Sequence, residues 1–246
     1  MKLHVLNSGS KANGYILHNN SEALVLECGV NMLECQKVLN YQTRKCVGAF
    51  VTHEHGDHCK YVSKYLQYMP VFASLGTTQA INSKLKGLSM VKPIKSLKWS
   101  EFGSFKIMPF PTVHDGAEPT GYLIKHPEIG VLLFATDTYF LEYKFEGLTN
   151  IMLECNYIPS ILEKNVQEGL IHPMVQQRTH KSHMSLDTCI STLKANDLSK
   201  VNKIVLLHLS SQNSDAEIMT NEVVQAIGKT VYVAKKGLEI DINKEL

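Results

Sequence analysis

Thr52-His53-Glu54-His55-Gly56-Asp57-His58 is the stretch on which the reading of this 246-residue chain turns. Three imidazoles and a carboxylate fall between His53 and His58, directly after the short apolar run Ala49-Phe50-Val51. A buried strand ending in such a turn can aim all four side chains at one point, and Gly56 is expected to permit the sharp backbone path. Imidazole and carboxylate together suit zinc, and also manganese, iron or nickel. The bland alternative is a solvated polar loop whose histidines bind nothing. The two readings differ in one consequence. Four side chains cannot complete the shells of two ions, so metal binding demands further His or Asp residues at the ends of later strands.

The chain supplies them. His114 follows an expected strand at residues 105–110, Asp137 one at residues 131–135, and His208 one at residues 204–207. Each stands where an apolar, β-branched run gives way to turn residues. The rest of the pattern agrees with a layered α/β architecture. Strands are expected at 3–6, 15–17, 23–26, 49–51, 71–73, 122–124, 151–153, 203–207, 231–233 and 238–242. Asn31 is placed to cap a helix with Met32, Cys35, Val38 and Leu39 on one face. A second helix carries Tyr61, Val62, Tyr65, Leu66 and Met69 at core spacing and stops before Pro70. Further helices are expected at 158–168, 186–195 and 216–227. Strands with helices interspersed in both halves predict two packed sheets covered by helices on both outer faces. No repeat or Gly/Ser-rich linker divides the chain, so residues 1–246 are read as one domain.

Composition narrows the class. The formal charge of +2, from 25 basic and 23 acidic residues, is too balanced to announce a nucleic-acid binder by itself. The lysines Lys84, Lys86, Lys92, Lys95 and Lys98 are spread over a middle segment and read by default as solvated surface. None of the six cysteines makes a C-x-x-C pair. Residues 1–10 lack the apolar stretch of a signal peptide, so the cysteines are expected to be reduced and the protein cytoplasmic. No apolar run reaches the roughly 18 residues of a membrane span.

His53-x-His55-x-Asp57-His58, His114 in Thr-Val-His-Asp, Asp137 in Ala-Thr-Asp-Thr and His208 in Leu-His-Leu-Ser resemble, in order, the motifs of the metallo-β-lactamase superfamily. The resemblance implies a four-layer αββα sandwich with two divalent ions, Zn²⁺ or Mn²⁺, at one edge of the sheets. It assigns His53, His55 and His114 to one ion, Asp57, His58 and His208 to the other, and Asp137 to both. Where the family has Asp in an Asp-x-Gly context, this chain has Glu27 in Leu-Glu-Cys-Gly. That acid is expected to support the histidine turn through hydrogen bonds, so the longer side chain bears on support geometry and not on metal binding itself.

Two cations roughly 3.5–4 Å apart can share one water and lower its pKa from 15.7 towards about 7, which is the chemistry of hydrolysis. Asp137 argues against the best-known lactamases, which have Cys there, and leaves phosphodiesters, thioesters and lactones open. Ser8-Gly9-Ser10-Lys11-Ala12-Asn13-Gly14, Glu154-Cys155-Asn156-Tyr157, Ser182-His183-Met184-Ser185 and His208-Leu209-Ser210-Ser211-Gln212-Asn213 look like the YycJ/WalJ-type branch, which is similar to tRNase Z and RNase J phosphodiesterases. That branch implies a DNA exonuclease. A compact phosphodiesterase for cyclic nucleotides is the alternative, and a thioester or lactone hydrolase stands behind it. Within the resemblance Glu154 and His183 form a carboxylate–imidazole pair that protonates a leaving oxygen or binds phosphate oxygens; with Asp57 they make up the catalytic set. His180 is the rival for His183, and His183 is otherwise a residue before the helix at 186–195. His4, His18, His126 and His172 are read as structural or solvated, and Glu54 and Asp115 as solvent-facing or supporting. DNA or a nucleotide phosphodiester is the expected partner. Relatives often pair, which leaves monomer and homodimer open.

Overall fold

The computed structural model describes residues 1–87 and 89–244. The first sheet is built from β1 (Lys2–Asn7), β2 (Gly14–His18), β3 (Ala23–Leu26), β4 (Cys46–Phe50), β5 (Val71–Ala73), β6 (Lys92–Pro93) and, from the far end of the chain, β14 (Glu239–Asp241). The second holds β7 (Ser100–Phe102), β8 (Phe105–Pro111), β9 (Thr120–His126), β10 (Gly130–Ala135), β11 (Asn150–Glu154), β12 (Lys203–Leu207) and β13 (Thr230–Val233). Their orders are β14-β1-β2-β3-β4-β5-β6 and β13-β12-β11-β10-β9-β8-β7. β3, β4 and β5 run parallel in the first sheet, as do β10, β11 and β12 in the second.

Period-two side-chain alternation explains why near-continuous apolar strands are needed. Leu132 and Phe134 of β10 face the space between the sheets, where they join Leu24, Leu26 and Phe50 of the first sheet. Leu133 and Ala135 point the other way and pack against Leu186, Cys189 and Leu193 of α7 (Leu186–Lys194) and Met219 and Val223 of α8 (Ala216–Ile227). The first sheet is covered likewise. Val25, Ala49 and Val71 meet Met32 and Cys35 of α1 (Met32–Val38) and Val62 and Tyr65 beyond it. Strands buried on both faces lose the polar alternation of a half-exposed sheet. The result is the expected αββα sandwich.

The elements depart from expectation in several places, among them the short strands β6 and β7, where none was expected. The helix read through residues 61–69 is shortened to the single turn α3 (Val62–Tyr65), and a separate, unexpected turn, α2 (Gly56–Cys59), precedes it. The Cys28 carbonyl takes the Tyr61 N–H and the His58 carbonyl takes the Cys28 N–H, so a strand end interrupts the helical ladder. Two helices were not expected: α4 (Leu75–Asn82) and α6 (Pro173–Ser182), while α5 (Pro159–Gln167) matches the helix read at 158–168. No helix among the described residues is long and apolar enough to cross a membrane.

Candidate metal centre

Strands from both sheets end at one edge, and the site residues follow those ends. Glu27 follows β3, His53 follows β4, His114 follows β8, Asp137 follows β10, Glu154 closes β11 and His208 follows β12. Three of these strands finish on a side chain held in left-handed backbone: Glu27 at φ 67°, Asp137 at φ 48° and His208 at φ 55°. Non-glycine residues in that region cost on the order of 1–3 kcal/mol, a cost that recurs where a side chain must be turned into a site. Gly56 contributes no such freedom: its φ is not positive and a Cβ there would meet open space. The glycine the turn requires is Gly29, where a Cβ would lie 1.6 Å from the Asp57 carbonyl oxygen.

The ring nitrogens gather in two groups. His53 Nε2 lies 3.0 Å and His114 Nε2 lies 3.4 Å from His55 Nδ1. His114 Nδ1 donates to the Ser182 carbonyl at 2.9 Å. A carbonyl only accepts, so the proton sits on Nδ1 and the lone pair of Nε2 is left for the cluster. In the second group His58 Nε2 is 3.2 Å from Asp57 Oδ2, and His208 Nε2 is 3.6 Å from the same oxygen. Asp137 lies between the groups. Its Oδ2 is 3.4 Å from His58, 3.7 Å from His114 and 4.0 Å from His53, while Oδ1 is 3.5 Å from His208. Within each of the sets His53/His55/His114 and Asp57/His58/Asp137/His208, the ligand atoms all lie within 4.8 Å of one another.

The donor chemistry fits divalent cations. His208 Nε2 is buried without a hydrogen-bond partner, the kind of orphan that native interiors rarely leave. Burial alone would raise the Asp137 carboxyl, yet His208 and His58 hold it well below the usual carboxylate range. Burial would likewise lower His208, but Asp137 and Asp57 push it up to about 10. The acids therefore draw positive charge into a dry pocket, which bound cations would supply. His53 behaves oppositely: burial and the neighbouring His58 keep it well below the usual imidazole range, so it is a neutral donor.

Around this cluster stand the supporting groups. Glu27 is fully buried, with Oε1 3.3 Å from His58 Nδ1 and Oε2 accepting from the Thr52 N–H at 3.3 Å. The longer acid thus reaches the histidine turn, but its contact with His58 lacks hydrogen-bond alignment. Glu54 does not face solvent; its Oε1 accepts from the Ala117 N–H at 2.8 Å and ties the turn to the His114 loop. His183 Nδ1 donates to Glu154 Oε1 at 2.7 Å, and Glu154 Oε2 accepts from the Thr138 N–H at 2.6 Å. Burial works against a charged His183, but Glu154 raises its proton affinity. His180 instead meets the Tyr157 hydroxyl at 2.9 Å, outside the cluster.

The cluster opens into a cavity of about 330 Å³ lined by His55, Asp57, His114, Asp137, His183 and His208, with Ser10, Val175, Arg178 and Thr179 on its walls. No family model matches the chain. Along 98% of its length it is 23% identical to the exodeoxyribonuclease YycJ of Bacillus anthracis, covering 95% of that protein. Its fold superposes on the metallo-β-lactamase fold protein YhfI of Bacillus subtilis with a TM-score of 0.72 at 15% identity, covering 98% of this chain and 99% of that one. The chain has the metallo-β-lactamase fold. A second solved structure, a diphosphatase of the PhnP family, matches with a TM-score of 0.68 at 16% identity over 100% of this chain and 99% of that one. The metallo-β-lactamase fold, the clustered His/Asp residues and the similarity to an exodeoxyribonuclease are together those of a metal-dependent hydrolase.

Arg178, Val175 and Thr179 escaped the sequence reading because α6 did. The available signal was local: His172 accepts from the Met174 N–H as N-cap and Pro173 occupies the first turn. The lysines Lys84, Lys86, Lys92, Lys95 and Lys98 do not line the cavity. His126 pairs with Glu22 at 3.0 Å and His4 approaches Glu239 at 3.4 Å, which are structural contacts.

Proposed function

We propose that this chain is a metal-dependent phosphodiesterase that cleaves DNA as an exonuclease. The observation that carries this reading is the pair of buried Glu154 and half-buried His183, set against the Asp137 and His208 end of a cluster able to hold two ions. A thiolate leaving from a thioester has low proton affinity and can depart without a proton donor. An alkoxide leaving from phosphorus needs a proton, and His183 is placed to deliver it. His53, His55 and His114 would hold one divalent ion, Asp57, His58 and His208 a second, and Asp137 would touch both. Bound there, the ions would supply a water of lowered pKa and neutralise charge on the phosphate.

The remaining work falls to the chain. With Nδ1 committed to Glu154, His183 offers Nε2 as the free ring nitrogen, which gives its proton to the leaving oxygen. Glu154 keeps the ring oriented, and Thr138 fixes Glu154 in turn. Arg178, two-thirds exposed and paired with Asp115 at 3.2 Å, sits on the rim where a phosphate oxygen would enter. Ser10 faces it from the β1–β2 loop. The similarity to an exodeoxyribonuclease over nearly the whole chain supports DNA as the substrate. All six cysteines are unbridged, which supports a reducing, cytoplasmic setting.

The test is a panel with added Mn²⁺ or Zn²⁺: bis-p-nitrophenyl phosphate, end-labelled DNA, cyclic nucleotides and a thioester. The expected result is DNA cleavage with no thioester turnover. Cyclic-nucleotide hydrolysis without DNA cleavage would replace the substrate, and thioester cleavage alone would overturn the reaction class. His183→Ala should keep its metal content and lose phosphodiester turnover by about 10²–10⁴-fold.

A further inference from the structure

Beside the metal cavity lies a second hollow of about 270 Å³, lined by Lys11, Lys60 and Lys236 with Asn31 and Tyr61. A third, of about 230 Å³, shares Asn31 and Tyr61 and adds Lys64, Gln67 and Tyr68. Neither hollow has a carboxylate in its lining. The three cavities form a series. Ser10 lines the metal cavity and Lys11 the next; Asp57 lines the metal cavity and Lys60, one turn on, the next.

Lys11 and Lys236 come from loops, Lys60 from the end of α2 and Lys64 from α3, and backbone hydrogen bonds tie these segments together. Asn13 N–H donates to the Asp57 carbonyl at 2.7 Å, which holds the Lys11 loop to the metal turn. Gly29 N–H donates to the Asn13 carbonyl at 3.1 Å, and Gly237 N–H, beside Lys236, donates to the Val5 carbonyl at 2.9 Å. Among the described residues the lysine and arginine ion pairs are made by Lys2, Lys37, Lys106, Lys164 and Arg178, so Lys11, Lys60, Lys64 and Lys236 are not spent on carboxylates. The nearby acid Glu34 is paired with Lys37 at 2.8 Å. Lys60 Nζ stands 5.5 Å from the centre of the Tyr61 ring, and Tyr68 is 48% exposed.

We propose that this groove, running from the metal cavity past Lys11, Lys60, Lys236 and Lys64 with Tyr61 and Tyr68 along it, holds a single strand of DNA leading into the site. The proposal rests on the phosphodiesterase reading above and says which substrate that site serves. Lysines interleaved with aromatic faces match a chain of phosphates bearing bases, and a cyclic nucleotide has nothing to place there. Unpaired bases are required, because the bases of a duplex already stack on each other and cannot lie on tyrosine rings.

The experiment measures binding of the metal-loaded protein to a fluorescent phosphorothioate strand of twelve thymidines, which resists cleavage. Combined Lys11→Ser, Lys60→Ser and Lys236→Ser substitution should weaken binding by roughly 30-fold and flatten the salt dependence of log K by about 2, near 0.7 per lost phosphate contact. Tyr68→Ala should weaken it by about 5-fold or more. With the unsubstituted protein, affinity should rise at least about tenfold from a dinucleotide to the twelve-mer. Unchanged affinity and salt slope in the triple variant, equal binding of dinucleotide and twelve-mer, or tighter binding of a blunt duplex would each overturn the groove. Lysine-dependent binding without turnover of any phosphodiester would uphold the groove and sink the reaction; the reverse pattern would do the opposite.

Discussion

The two sheets deliver their share of the site in different ways. The first gathers His53, His55, Asp57 and His58 into one turn after β4 and steadies them with Glu27 and Asn13, whose amide nitrogen lies 3.2 Å from Asp57 Oδ2. The second spends one strand end on each group: His114 after β8, Asp137 after β10, Glu154 on β11 and His208 after β12. A turn can be read as a motif, because its spacing is in the chain. Dispersed groups acquire meaning only through the sheet that lines up their strand ends. The first half is thus a compact ligand cassette, and the second is a frame whose precision depends on strand register.

Asp137 joins the halves, so breaking it should have the largest effect. Asp137→Asn is expected to reduce the bound metal from two ions to one or none and to lower turnover by on the order of 10³-fold or more, as several kcal/mol of charge stabilisation is lost. Metal analysis beside steady-state kinetics checks it. Full turnover with two ions would show that the halves work without it.

The cassette itself can be tested through its packing. Gly29→Ala would drive a methyl group into the Asp57 carbonyl, and overpacking of this kind costs about 1–3 kcal/mol or more; a lower midpoint of thermal unfolding and loss of metal are expected. Gly56→Ala, with open space at its Cβ, should change stability by no more than roughly 0.5 kcal/mol. If the two variants behave alike, the strand-end contact at Gly29 does not hold the turn.

A smaller effect sharpens the support given to the cassette. Glu27→Gln removes the charge facing His58 and should weaken metal affinity by roughly 10–100-fold while leaving the fold intact. Competition with a chelator reads this directly. An unchanged affinity would make Glu27 a packing residue alone.

Most strands were legible because each side of a doubly buried sheet demands β-branched or aromatic residues, and those runs stand out. β12 and α8 fall at the residues expected of them. The missing helices fail for physical reasons. α4 buries Thr77 and Thr78 beside Ile81, so its inward face does not look apolar. α6 buries little beyond Ser182 and exposes Met174, Val175 and Arg178, so it carries no core stripe to read. The same helix forms a wall of the metal cavity, and the substrate-facing rim went unseen with it. The unexpected turn α2 and its separation from α3 are a tertiary effect, since Cys28 from a distant strand end takes the Tyr61 N–H, and no local pattern encodes it. The strand-end ligands were found only because the His53–His58 turn demanded partners.

Under the proposed function, side chains from both sheets would converge to hold two divalent ions. Elemental analysis of protein purified with Mn²⁺ or Zn²⁺, followed by crystallography at the metal absorption edge, tests it most directly. Two ions per chain are expected, one among His53, His55 and His114 and one among Asp57, His58 and His208, with Asp137 touching both. A single ion held by the turn after β4 alone, or none with His208 and His114 turned away, would contradict it.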